Sequence, residues 1–233
     1  MTSRKKVLIT GSTGAIGEAC ARYFHDNGYF VYLNYRSKEE KVNELHNELE
    51  NSQTIKFDIV KKEEVRSALE NLEIDVLVNN AGITKDNLFF FMNDEEWGDV
   101  IDTSVNGTYY VTKAILKNMI ANKKGSIINV ASISGLVGNA GQTNYSAAKG
   151  AMIAFTKALS AEVARYKIRV NAVAPGLVES EMTKSLPLKD MKKAIPLRRI
   201  GKPEDVAECV FFLGDKASYV TGETINISGG MVR

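Results

Sequence analysis

Lys6-Val7-Leu8-Ile9-Thr10 runs directly into Gly11-Ser12-Thr13-Gly14-Ala15-Ile16-Gly17, and this junction decides the fold. An apolar strand ends in a glycine-rich turn, and helical period begins at residue 14. Backbone N–H groups and a helix N-terminus at such a turn suit a pyrophosphate, and missing β-carbons permit its close approach. A glycine cluster by itself also reads as a tight turn. The strand-turn-helix context favours nucleotide binding by Gly11, Ser12, Thr13, Gly14, Ala15, Ile16 and Gly17.

Outward from this junction, apolar runs bounded by turn residues recur at Lys6–Thr10, Tyr29–Asn34, Thr54–Phe57, Ile74–Asn79, Ser126–Ala131, Ile168–Val173 and Thr224–Ile227. Helical period fills 14–27, 38–50, 61–71, 95–121, 144–166 and 203–213. This alternation predicts one α/β domain over 1–233, a Rossmann-type doubly wound parallel sheet of about seven strands with helices on both faces. Ligands then belong at the carboxyl ends of the strands.

Bulk composition narrows the function by exclusion. The chain has 233 residues, of which 44% are hydrophobic and 25% charged, enough for a substantial core. A net charge of +2, with no basic run longer than Arg4-Lys5-Lys6, argues against nucleic acid as a partner. Cys20 and Cys209 read as reduced core thiols, and His25 and His46 lack spaced ligand partners, so no metal is expected. No apolar run is long enough to span a membrane, and a cytoplasmic location follows by default. Prolines occur only at 175, 187, 196 and 203, marking a loop-rich late segment.

Tyr145 and Lys149 lie four residues apart, which stacks phenol and ammonium on one helix face. A phenol near pKa 10 is a poor proton donor at neutral pH unless a cation stabilises its phenolate. An ammonium about 5 Å away supplies on the order of 3 kcal/mol at an effective dielectric of about 20. Ser132 stands thirteen residues upstream, at the end of another strand. Asn106, between Val105 and Gly107-Thr108, is a poor helix residue and hints at a local distortion; a buried asparagine satisfying a helix defect is the alternative.

The second strand ends in Asn34-Tyr35-Arg36-Ser37 rather than in an acid. A guanidinium and a hydroxyl suit a 2′-phosphate, so Arg36 and Ser37 favour NADP(H) over NAD; a solvated turn arginine is the alternative. Asp58 and Ile59 close the third strand where an adenine would lie, and Asn79-Asn80-Ala81-Gly82 close the fourth. Small residues at Ala81 and Gly82 let backbone approach a cofactor, while Asn80 ties neighbouring strand ends; ordinary strand caps are the alternative for both segments, and position rather than composition favours the cofactor.

With these motifs in place, the chain resembles the short-chain dehydrogenase/reductase family over essentially its whole length. The features are TGSTGAIG at 10–17, NNAG at 79–82, Asn106, Ser132, Tyr145 with Lys149, and Pro175-Gly176. Longer strings, AGITKDN at 81–87, GNAGQTNYSAAKG at 138–150, VNAVAPGLVESEMT at 170–183 and TGETINISGGM at 221–231, are similar to β-ketoacyl-[acyl carrier protein] reductases and their acetoacetyl-CoA reductase relatives. One departure is Ala15 with Gly14, where relatives carry glycine and often a basic residue. It leaves Arg36 carrying most of the NADP preference.

The resemblance implies NADPH-dependent reduction of a 3-ketoacyl thioester on acyl carrier protein. It implies Tyr145 as proton donor, Ser132 (with Ser134 a nearby alternative) orienting the carbonyl, and Lys149 on phenol and ribose. Asn106 would hold a water leading from the lysine. Pro175, Gly176 and the Val178 backbone would meet the nicotinamide, and Thr183 the phosphates. Residues 177–200 form the expected substrate loop, with Met182, Leu186, Leu188 and Met191 as apolar lid contacts or simple helix packing. The helices at 95–121 and 144–166 carry apolar stripes (Val105, Tyr109, Ile115, Met119; Met152, Phe155, Leu159), and one face of each must cover the sheet; the resemblance implies that the remaining faces form a dimer seam and the C-terminal segment the second interface of a homotetramer. By position in the family, Lys123, Lys124, Arg165 and Lys167 are candidates to steer an acidic carrier near the mouth; a solvated charged face is the alternative for each. Alternative readings are an acetoacetyl-CoA or other small-carbonyl reductase, and a non-catalytic subunit of a paralogous reductase.

Overall fold

The computed structural model describes residues 4–184 and 188–232. Its strands are β1 (Lys6–Ile9), β2 (Phe30–Tyr35), β3 (Ser52–Lys56), β4 (Val76–Asn79), β5 (Gly125–Val130), β6 (Ile168–Pro175) and β7 (Thr224–Ile227). They lie in the order β3-β2-β1-β4-β5-β6-β7, every pairing parallel. The chain winds outward from β1 in one direction and from β4 in the other. The crevice at their carboxyl ends is therefore the ligand position of this topology.

The strands read as unbroken apolar runs because both faces are covered. Val7 and Ile9 of β1 join one buried cluster while Leu8 between them joins the other, and Val76, Val78 and Leu77 of β4 repeat the split. One face is roofed by α1 (Ala15–Asp26), α2 (Glu39–Glu48) and α9 (Pro203–Phe211). The other carries α3 (Lys62–Leu69), α5 (Gly107–Asn122) and α7 (Thr143–Val163).

The segment 95–121 is not one helix. It begins as α4 (Asp94–Ile101), capped by Asn93, whose side chain accepts from the Glu96 N–H at 2.8 Å. It then widens into a π-helical turn over Asp102–Asn106 before α5. The distortion expected around Asn106 is thus present, and it spans the whole turn. Short helices α6 (Ser134–Val137) and α8 (Leu188–Ala194) carry too few residues for a period to be legible. Among the described residues no helix is long and apolar enough to cross a membrane, and no cluster of His, Cys, Asp or Glu is grouped for a metal.

Candidate active site

The glycine turn after β1 is held from the neighbouring strand ends. Gly11 N–H donates to Asn34 Oδ1 (3.2 Å), and the Ser12 N–H and hydroxyl both donate to the Asn34 carbonyl (3.0 and 2.9 Å). From the other side, Asn80 Nδ2 donates to the carbonyls of Thr10 and Gly11 (3.0 and 3.1 Å). Gly11 is left-handed at φ +63°, and a Cβ on Gly17 would stand 2.3 Å from the Gly11 carbonyl oxygen. Only glycine fits there. Gly14 is the exposed N-cap of α1 with no side chain capping it. The first-turn N–H groups Ala15, Ile16 and Gly17 thus face the crevice uncapped, a fit for a pyrophosphate. Ser12 differs from expectation: it is fully buried, and both its hydroxyl and its N–H are spent on the Asn34 carbonyl.

At the adenosine end, Arg36 is exposed and its nearest carboxylate is Asp58, at 3.8 Å. Ser37 is exposed beside it. Asp58 Oδ1 accepts from the Val60 N–H at 3.2 Å. Arg36, Asp58 and Lys61 share the rim of a hollow of about 700 Å³. Ile59 does not lie open for an adenine: its side chain is buried against Gly107 at the start of α5. The close approach of Gly107 claims it.

Ser132, Tyr145 and Lys149 do come together. Ser132 ends β5, and α7 presents Tyr145 and Lys149 one turn apart. The start of α7 is set by Asn144, fully buried, which donates to the carbonyls of Lys85 and Glu96 (both 2.9 Å) and accepts from the Tyr145 N–H (2.7 Å). Lys149 Nζ donates to the Val130 carbonyl at 2.8 Å and stands 5.6 Å from the Tyr145 ring centre. Ser134 is the wrong serine: its hydroxyl donates to Gln142 Oε1, while its N–H donates to Ser132 Oγ.

The electrostatics correct the simple pair argument. Burial pushes the Tyr145 phenol above its ordinary pKa; the Ser132 hydroxyl bonded to it pulls the other way. Burial also brings Lys149 down to about 8. Desolvation dominates over the cation's pull, because both groups leave water together. The phenol therefore stays protonated and is ready to donate.

Asn106 is turned away: its Nδ2 donates to Asp102 Oδ1 at 2.6 Å on an exposed face. Ser104, inside the same π-helical turn, faces inward instead. Its hydroxyl is fully buried with no partner among the described residues, and a Cβ placed on Gly82 would lie 3.8 Å from it and 3.4 Å from Lys149 Nζ. Reading the sequence missed Ser104 because the widened turn rotates the face that a regular helix would present. Asn144 and Gln142 were missed because their partners are distant in sequence. Asn79 ties β4 to β5 and α5 through Asn129 Oδ1 and Thr112 Oγ1 (both 2.9 Å).

Beyond β6, Pro175 pairs with Ile227 and Gly176 packs on Ser228. The Val178 carbonyl accepts from the Thr183 hydroxyl at 2.9 Å, which also accepts from the Ser180 N–H at 3.0 Å. Thr183 thus braces its own loop rather than standing free for a phosphate. Leu186 and the side chains of Met182 and Leu188 lie outside the described residues; Met191 is half-buried on α8.

One further expectation is corrected, and the helix faces expected to cover the sheet do so. Lys123 and Lys124 precede β5, and Arg165 and Lys167 precede β6, so they sit at the amino edge of the sheet. Six residues of β5 separate them from Ser132, roughly 20 Å. Ile115, Met119, Met152 and Leu159 are buried within the chain itself; of the two stripes, Tyr109 stays exposed and Val105 and Phe155 half-buried.

The chain is similar to known proteins over nearly its whole length. A family profile described as enoyl-(acyl carrier protein) reductase matches residues 11–232. The 3-oxoacyl-[acyl-carrier-protein] reductase FabG of Staphylococcus epidermidis is 42% identical over 97% of this chain and 98% of its own. Its counterpart in Rickettsia felis is 44% identical over 98% and 97%. Nodulation protein G of Rhizobium meliloti is 43% identical over 97% and 96%.

Proposed function

Since the chain belongs to the short-chain dehydrogenase/reductase family, we propose that it reduces the 3-oxo group of an acyl thioester on acyl carrier protein, with NADPH as reductant. The observation that carries this reading is the convergence of Ser132, Tyr145 and Lys149 beside an uncapped, glycine-lined helix N-terminus. The names of the relatives supply the substrate class.

A nicotinamide cofactor, when bound, supplies the hydride to C3 of the substrate. Gly11, Gly14 and Gly17 with the N–H groups of Ala15 and Ile16 would hold its pyrophosphate; Ala81, Gly82, Pro175, Gly176 and Val178 would line its inner half. The Ser132 hydroxyl donates to the 3-oxo oxygen and fixes its direction. As negative charge develops on that oxygen, Tyr145 passes it the phenolic proton, and the 3-hydroxyacyl product leaves with both hydrogens. Lys149 stabilises the phenolate left behind, its buried ammonium acting at lower dielectric than in water. Arg36 favours NADPH: it is exposed, only loosely held by Asp58, and no acid stands at the end of β2. Ser104 takes the place assigned to Asn106 next to the lysine.

The description of the matching profile favours a second reading, reduction of a 2-enoyl thioester, since a hydroxyl pair also serves an enolate oxygen. One assay separates the two. NADPH and NADH oxidation would be followed with 3-oxoacyl and 2-enoyl groups, each on acyl carrier protein and on coenzyme A, beside Tyr145→Phe. Turnover of the 3-oxo substrate with NADPH, lost in the variant by about a thousandfold or more, is expected. Turnover of the enoyl substrate alone would overturn the assignment.

A further inference from the structure

Gln142 is the N-cap of α7, one turn before Tyr145, and its side chain does not cap the helix. Side chains that suit this position accept from a first-turn N–H. Here the amide reaches outward instead, to three polar partners outside α7. Its Nε2 donates to Asp86 Oδ2 at 2.7 Å, while its Oε1 accepts from Asn139 Nδ2 at 2.9 Å and from the Ser134 hydroxyl at 3.3 Å. None of these contacts is used by the chemistry above.

Asp86 decides which way that amide faces. A carboxylate only accepts, so the amide turns its nitrogen to Asp86 and its oxygen to Ser134 and Asn139. Asp86 is exposed, yet its place is fixed on both sides. The Lys85 carbonyl accepts from Asn144 Nδ2 and the Asn87 N–H donates to the Gly141 carbonyl, both at 2.9 Å, which lays residues 85–87 along 141–144. Lys85 itself is committed to Glu95 and Asp99 (3.0 and 2.6 Å), and among the described residues Gln142 is the side chain bonded to Asp86. The other end of this line of contacts reaches the reacting groups, where the Ser134 N–H donates to Ser132 Oγ at 3.1 Å. That bond occupies a lone pair of Ser132 and leaves its proton for the Tyr145 oxygen or for a carbonyl beside it.

We propose that Asp86 and Gln142 are positioning residues of the reductase, holding the turn at Ser134 so that Ser132 presents its proton to the 3-oxo oxygen. The inference rests on the function proposed above. Neither residue has to touch the substrate: Asp86 acts through the amide, the amide through Ser134, and Ser134 through Ser132. An amide turned over would set its oxygen against the Asp86 carboxylate and its nitrogen against that of Asn139. Ser134 would then have to accept where it now donates, and the direction of the Ser132 hydroxyl would no longer be fixed.

The test exchanges the two groups. Gln142→Glu sets two carboxylates where a 2.7 Å hydrogen bond stood. It should lower kcat for 3-oxobutyryl-coenzyme A by about tenfold or more, because small misplacements of a reacting group are costly. Asp86→Ala removes an exposed side chain, crowds nothing, and should lower kcat in the same direction by about threefold or more. Gln142→Glu combined with Asp86→Asn puts an amide and a carboxylate side by side again. The carboxylate at 142 then accepts from the amide at 86 and still from Ser134 and Asn139, so kcat should return to within about threefold of wild type. In every variant KM for the thioester, and the dissociation constant of NADPH read from its own fluorescence, should stay within about twofold; the NADPH value shows that the variant is folded. A kcat within about twofold of wild type in either single variant, a loss that the exchange does not restore, or a loss carried by KM for the thioester would overturn the inference while leaving the proposed function standing. A wild-type enzyme silent on 3-oxoacyl thioesters would instead remove the function itself.

Discussion

Lys149 is almost fully buried, yet among the described residues its only strong acceptor is the Val130 carbonyl. Its ammonium has three donors, and burial lowers its pKa from 10.5 to about 8. Between these two values the unfolded chain binds a proton that the folded chain does not, so stability rises with pH across that interval. Below about pH 8 the full cost of burying the charge is present, on the order of 3 kcal/mol before the hydrogen bond to Val130 offsets part of it. Lys149→Met should therefore be inactive but more stable than wild type by about 1–3 kcal/mol at pH 7, with the gain shrinking toward pH 10. Urea unfolding at the two pH values checks this; a destabilised variant at pH 7 would show that the ammonium is well solvated inside the fold. At this scale Ser132, Tyr145 and Lys149 were legible, because four residues along a helix and the end of a strand define positions whatever the packing. The sign of the tyrosine's shift was not, because desolvation depends on what surrounds it.

The π-helical turn at Asp102–Asn106 is an element that changes which residue meets the site. A regular helix rotates about 100° per residue; one widened turn resets that phase, so Ser104 faces Gly82 and Lys149 while Asn106 faces Asp102. A buried hydroxyl without a partner is costly, and one beside a lysine with spare donors is placed to meet it directly or through a water. Ser104→Ala is expected to lower kcat about tenfold with little change in KM for NADPH, whereas Asn106→Ala should stay within about twofold. The reverse ranking would restore the asparagine to the site. Sequence showed that this stretch makes a poor regular helix; the register after the defect is set by how α4 and α5 each pack.

On the scale of the molecule, the amino and carboxyl edges of the sheet divide the labour. The proposed chemistry lies at the carboxyl edge, while Lys123, Lys124, Arg165 and Lys167 occupy the other, so in one chain they do not border the mouth. Apolar side chains still exposed far from the site, such as Tyr109, Phe212 and Tyr219, are compatible with further assembly. A homotetramer remains our proposal, and light scattering at micromolar concentration should return four copies of the 25.6 kDa chain. A single 25.6 kDa species would remove it.

The parallel sheet, the glycine turn and the Tyr145–Lys149 pair were written in the linear order of residues, because strand runs, missing β-carbons and helix spacing are local properties. Which groups stand beside them was decided only by folding. Ile59 lies under Gly107, Thr183 is bound into its own loop, and Ser12 is spent on Asn34. Asn144 and Gln142 act through partners dozens of residues away. Those assignments depend on long-range packing and on burial, which act between side chains that the sequence leaves far apart.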